Sequence, residues 1–265
     1  MISIRQQVDE FAKQMIFLDD SRLNEPWNWK GYEEGLRFIF FRVYEELRQA
    51  AAMIAVQQTT VHRRLAQHHL SFCNLQAVLL GCPDYKLDVE PSPGEWSVRK
   101  TVSHIVETEW TFFGVFHYNL SHRDAPGQIP DNFWDPFFKD HGGFNITTFA
   151  GSMAEIMTFY LKVHGYIIKQ LSGIKDQDLN LGMYYWEDEP LPLRFRLGRF
   201  DSHIRQHTIQ IEKTMAAIDL PLTEAMRMTK IIYTALGELE GRLIGHPEIS
   251  INLDLSEYLN LAHFI

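Results

Sequence analysis

Apolar residues recur at helical spacing along most of the chain, and the places where that rhythm fails divide it into segments. Ile4, Val8, Phe11, Met15 and Ile16 fall near every 3.6 residues and predict a short amphipathic helix over 3-20. Asn24 to Gly31, with Pro26, Trp27 and Trp29, breaks the pattern. From Tyr32 to Val56 a second helix is predicted by Leu36, Ile39, Phe40, Val43, Leu47 and Ala51, and Gln57 to Thr60 ends or bends it. A helix over 60-80 then turns Leu65, His68, Phe72, Leu75 and Leu79 inward. Gly81 to Gly94 reads as loop, and Ser97 caps a helix over 97-120.

The stretch 121-146 holds Pro126, Pro130, Pro136, Gly127, Gly142 and Gly143, so a long ordered loop is expected there. Its Phe133, Trp134, Phe137 and Phe138 either roof a pocket or pack across the end of the helices. A helix over 147-172 follows, capped by Thr147 and stopped by Gly173, with Met153, Ile156, Met157, Tyr160, His164, Ile167 and Leu171 on one stripe. Residues 174-196 read as loop, including Trp186 and the acidic run Glu187 to Glu189. Helices over 197-218 and 222-243 and a weak one over 254-263 complete an all-α chain without repeats or flexible linkers.

Composition narrows the function classes. Hydrophobic residues make up 45% and charged residues 22%, which excludes wholesale disorder. A formal charge of -9 opposes binding to phosphate backbones, so no nucleic acid is expected as partner. Arg194, Arg196, Arg199 and Arg205 form the most basic stretch, which either attracts an anionic substrate or offsets the nearby acidic run. Two cysteines, Cys73 and Cys82, make a disulfide framework improbable. Neither a signal-length apolar segment nor a membrane-spanning run occurs, so a cytoplasmic protein with no membrane partner is expected.

The sharpest chemical lead is histidine. His203 and His207 are four residues apart and share one helix face, and His104 lies on an earlier predicted helix. Three imidazoles can hold one divalent transition metal and leave positions open for water or substrate. Three neutral nitrogens fit zinc or nickel best, with iron and manganese as alternatives. Thr108 and Thr111 fall near the His104 face, and Gln210 follows His207 on the same stripe as a supporting residue. Glu107 is the candidate general base, and Glu109 is expected to be a solvated charge. His68 and His164 are read as buried core or pocket lining, beside Tyr160. Ferritin-like di-iron ligation is excluded, because Thr101 and Phe200 stand where its glutamates would precede His104 and His203. The motifs of serine hydrolases, phosphate-binding loops and dinucleotide folds do not occur.

Two of these features together resemble the DinB family with its YfiT-like metalloenzymes. They are the helix start Gly94, Trp96 and Ser97 with His104 seven residues after the serine, and the pattern His203, His207, Gln210 about a hundred residues later. The resemblance implies a four-helix bundle over 58-218 with a divalent metal between its second and fourth helices. It leaves a packed helical extension at 1-57 and another at 219-265. It further implies a small-molecule substrate, and either water activation by a hydrolase or thiolate transfer with a low-molecular-weight thiol. The alternatives are a non-catalytic metal-binding stress-response protein and a helical interaction module, in which the Leu36 to Leu47 stripe would join two copies in a homodimer.

Overall fold

Capping chemistry sets where most helices begin. In the computed structural model, which describes residues 3–125, 127–141, 149–185 and 189–259, Ser3 and Gln6 bond reciprocally to open α1 (Ile4–Met15). A hairpin follows, β1 (Pro26–Trp29) against β2 (Tyr32–Gly35), with Trp27 opposite Glu34. Its turn residues Lys30 and Gly31 both take positive φ, 49° and 87°, which suits the right-handed twist of a two-residue hairpin. Thus residues 32–35, expected to start a helix, are strand, and α2 runs over Arg37–Met53.

Thr59 accepts the His62 N–H and opens α3 (Thr60–Leu80), and Ser97 opens α4 (Val98–Ser121). The expected long loop contains α5 (Trp134–Asp140). Pro136 is its third residue, where the missing N–H would have no helical acceptor, so proline is tolerated. Ser152 and Glu155 make the capping box of α6 (Met153–Leu171), so this helix starts later than expected; Thr147 lies outside the described residues. Trp186, Glu187 and Asp188 also lie outside them.

The remaining expected loop holds a 3₁₀ turn at Asp176–Asn180 and two short paired strands, β3 (Gly182–Met183) and β4 (Leu191–Pro192). Pro192 then leads directly into α7 (Leu193–Ala217), four residues ahead of the expected start. Thr223 caps α8 (Glu224–Leu243), and a 3₁₀ turn at Ser256–Tyr258 stands within the weak helix expected at 254-263.

The helices α3, α4, α6 and α7 form a four-helix bundle in which α3 and α4 each touch both α6 and α7. Around it, α8 lies along α3, and α1 and α2 lie along α8. The contact of α8 with α3 is close because glycine permits it. A Cβ on Gly237 would come 3.1 Å from both Leu70 Cα and Cys73 Cβ, and one on Gly241 would come 3.1 Å from Ala66 Cβ. The stripe of α2, Ile39, Phe40, Val43 and Leu47, is fully buried within the chain. Each such side chain contributes about 1.5–3 kcal/mol by leaving water. Arg5 of α1 is bonded to Glu240 of α8 and, at 2.6 Å, to Gln76 Oε1 of α3, which ties three helices with one guanidinium. Gln7 holds the later backbone at Leu253 and Leu255. Among the described residues no helix is long and apolar enough to cross a membrane.

Candidate functional site

His203 and His207 lie one turn apart on α7, and the pairing of α4 with α7 brings His104 to them. Nε2 of His203 is 3.2 Å from Nε2 of His104 and 3.1 Å from Nε2 of His207. Ligand nitrogens at about 2.0–2.1 Å from a tetrahedral zinc ion are about 3.3–3.4 Å apart, so the spacing fits one ion with little adjustment. His207 Nδ1 donates to Gln210 Oε1 at 2.8 Å, which leaves its Nε2 lone pair facing the other rings. Burial, followed by the neighbouring His207 and His104 rings, pushes the pKa of His203 down to about 3. Burial and then His207 lower that of His104. Both therefore present neutral nitrogens at ordinary pH, the form that binds metal.

Trp96, just before the Ser97 cap, stands over the trio. Its ring lies 5.0 Å from His104 edge-on and 6.3 Å from His207 nearly parallel. It walls two surface grooves. One, of about 650 Å³, is lined by His104, Glu107, Lys100 and Ser103; the other, of about 510 Å³, by His207, Gln210, Glu95 and Lys213. The three-histidine cluster is thus reached from both sides of Trp96.

The other predicted site residues are placed as follows. Glu107 shares a groove with His104, whereas Thr111 turns its hydroxyl back to the Glu107 carbonyl at 2.8 Å. Thr108 is half-buried on α4. Tyr160 and His164 do not sit with the trio. They hold the carboxylate of Glu109, Tyr160 through Oη to Oε2 at 2.6 Å and His164 through Nδ1 to Oε1 at 2.8 Å. Glu109 is therefore not a solvated charge: only 2% of it is exposed. Its partners come from α3 and α6, so the pattern of α4 alone carries no sign of its burial. Burial would raise its pKa, but the His68 and His164 rings more than reverse this and hold it well below the usual carboxylate range.

The basic stretch does not form one surface. Arg196 is fully buried, with its guanidinium 4.8 Å from the Phe112 ring and 5.1 Å from the Tyr185 ring. Arg205 pairs with Asp201, and Arg199 reaches Ser202. The aromatics of α5 and its approach pack on the far half of α4, around Phe113 and His117, while His141 just after α5 is bonded to Tyr166 of α6 at 2.8 Å, so this segment crosses the bundle rather than roofs the histidines.

The family model of the DinB superfamily matches residues 67–211, more than half of the chain. Comparison with curated proteins and with solved structures finds no match.

Proposed function

Since the chain belongs to the DinB superfamily, we propose that it is a metal-dependent enzyme whose divalent transition ion is held by His104, His203 and His207. The convergence of the Nε2 atoms of His104, His203 and His207, with that of His203 3.2 Å from His104 and 3.1 Å from His207, carries this reading. Three protein donors beside open grooves leave room for a reactant, as in catalytic rather than structural sites. A bound divalent ion supplies Lewis acidity, lowering the pKa of a water or a thiol beside it. That chemistry serves hydrolysis of a small amide or ester and transfer of a low-molecular-weight thiol alike.

The chain's own residues would do the rest. Gln210 fixes the ring of His207. Glu107, in the groove of His104, takes the proton released by the nucleophile. Trp96 excludes water from one side of each groove and offers a flat apolar surface to the substrate body. Lys100, with its ammonium 5.6 Å from the Trp96 ring, and Lys213 in the other groove favour a substrate with an anionic group.

The test is metal content followed by activity. His203→Ala and His207→Ala should each lose one equivalent of metal; full retention in both would sink the assignment. Metal-free protein reloaded with zinc, nickel, manganese or iron should be screened against thiols with electrophiles and against simple amides and esters. His104→Ala should abolish any activity found while keeping its helical circular dichroism.

A further inference from the structure

We propose a second metal site in the bundle interior, formed by His68, Glu109 and His164 and separate from the three-histidine centre. The three side chains come from α3, α4 and α6, and each is fully or almost fully buried. Their ligand atoms all lie within 4.8 Å of one another. Glu109 Oε1 is the hub, 3.0 Å from His68 Nε2 and 2.8 Å from His164 Nδ1. These spacings are within a few tenths of an ångström of what two ligands about 2.0–2.2 Å from one first-row ion require. Two imidazoles and one carboxylate form a donor set that suits zinc, iron or manganese in the divalent state.

His68 supplies the observation that a hydrogen-bonded core does not explain. Its Nδ1 is buried and has no hydrogen-bond partner among the described residues, and its Nε2 lies 3.0 Å from Glu109 Oε1. Leaving Nδ1 buried and unsatisfied is costly, and Nε2 beside the carboxylate is placed as a ligand as well as an ion-pair partner. Glu109 makes the same case from the other side. Its oxygens meet two imidazoles and a phenol, and buried carboxylates are stable when paired with a full positive charge or with a metal.

The surroundings have the form of a supporting shell. Tyr160 Oη donates to Oε2 of Glu109 at 2.6 Å, which turns Oε1 towards the two rings. His164 Nε2 lies 3.1 Å from His69 Nδ1. His69 in turn donates from Nε2 to Glu240 Oε2 at 2.8 Å. A ligating histidine whose other nitrogen is anchored through a hydrogen-bonded line ending on a carboxylate is the usual second layer of a metal site. The Phe72 ring stacks on His164 at 3.9 Å and fixes its plane. Phe200, 4.8 Å from the His68 ring, and Phe112, 5.8 Å from His203, stand between the two centres as an apolar wall.

Cobalt bound to the full-length chain tests the proposal. The protein and its His203→Ala/His207→Ala double variant are produced in cobalt-supplemented medium, dialysed and analysed for bound cobalt. Two equivalents are expected in the parent chain and one in the double variant. Adding Glu109→Gln to the double variant should remove that last equivalent. A double variant that folds by circular dichroism and holds no cobalt overturns the second site. X-ray absorption of the ion in the double variant should show nitrogen and oxygen ligands. A sulfur ligand would place the ion at Cys73 instead and also overturn the proposal. Should Glu109→Gln not fold, this spectrum decides alone. A parent chain with one equivalent that survives the double substitution supports the buried site and refutes the three-histidine one, so the two assignments fail separately.

Discussion

Gln210 Oε1 accepts the Nδ1 proton of His207 at 2.8 Å, one turn along the same helix. The bond fixes which nitrogen of His207 faces His203 and makes that nitrogen more basic. Gln210→Ala should therefore weaken metal binding at the three-histidine centre by about 10–100-fold without a change in helical content. Competition with a chromophoric chelator measures this, and unchanged affinity would remove Gln210 from the site. Gln210→Glu, which keeps an acceptor, should bind at least as tightly as the parent.

Acid should weaken the junction of the first and last long helices. Burial alone would raise the pKa of Glu240, but Arg5 and then His69 bring it down from 4.5 to about 2. A depressed carboxylate contributes stability above its unfolded pKa, and that contribution is lost as pH falls through the folded value. The loss should fall between pH 4.5 and about 2. Glu240→Gln should flatten this part of the stability curve and lower stability at neutral pH by about 2 kcal/mol. Urea unfolding at a series of pH values would show it, and parallel curves for parent and variant would refute the argument.

Gly237→Ala sets two effects against each other. Alanine in place of glycine within a helix gains about 1 kcal/mol. The added methyl would stand 3.1 Å from Leu70 Cα, a backbone atom that cannot turn aside. Overpacking of this kind costs about 1–3 kcal/mol, so net destabilisation of about 1 kcal/mol is expected. A rise in Tm would mean that α8 has freedom to move away from α3.

The extension at the start of the chain should prove indispensable. Removing residues 1–56 strips α1 and α2 from α8 and exposes the face they cover. A truncated chain should aggregate or lose most of its thermal stability. A soluble, cooperative truncation that changes from dimer to monomer in light scattering would instead favour the stripe as an interface between copies.

How much of this was legible in the sequence varies with the origin of each feature. The bounds of α3 follow from Thr59, Gly81 and one apolar stripe, all of them local signals. The hairpin at Pro26–Gly35 and the short helix α5 were hidden because proline and tryptophan in a break look alike whether or not a strand or a turn of helix forms there. For α7, Pro192 read as loop although proline also precedes helices readily. At the site, the spacing of His203 and His207 is local, but His104 reaches them across 99 residues through the packing of α4 on α7. Glu109 shows the limit most clearly. Its neighbours in sequence suggest a surface position, and only the arrival of α3 and α6 buries it.

The position of α8 has a consequence for synthesis. The apolar faces of α1 and α2 are complete once residue 53 has been made, yet the helix that covers them ends at residue 243. At about 5–20 residues per second, translation leaves those faces waiting for about 10–40 s. During that interval the nascent chain must shield them by transient contacts or by chaperones, so folding errors in this protein should arise on the ribosome more than after release.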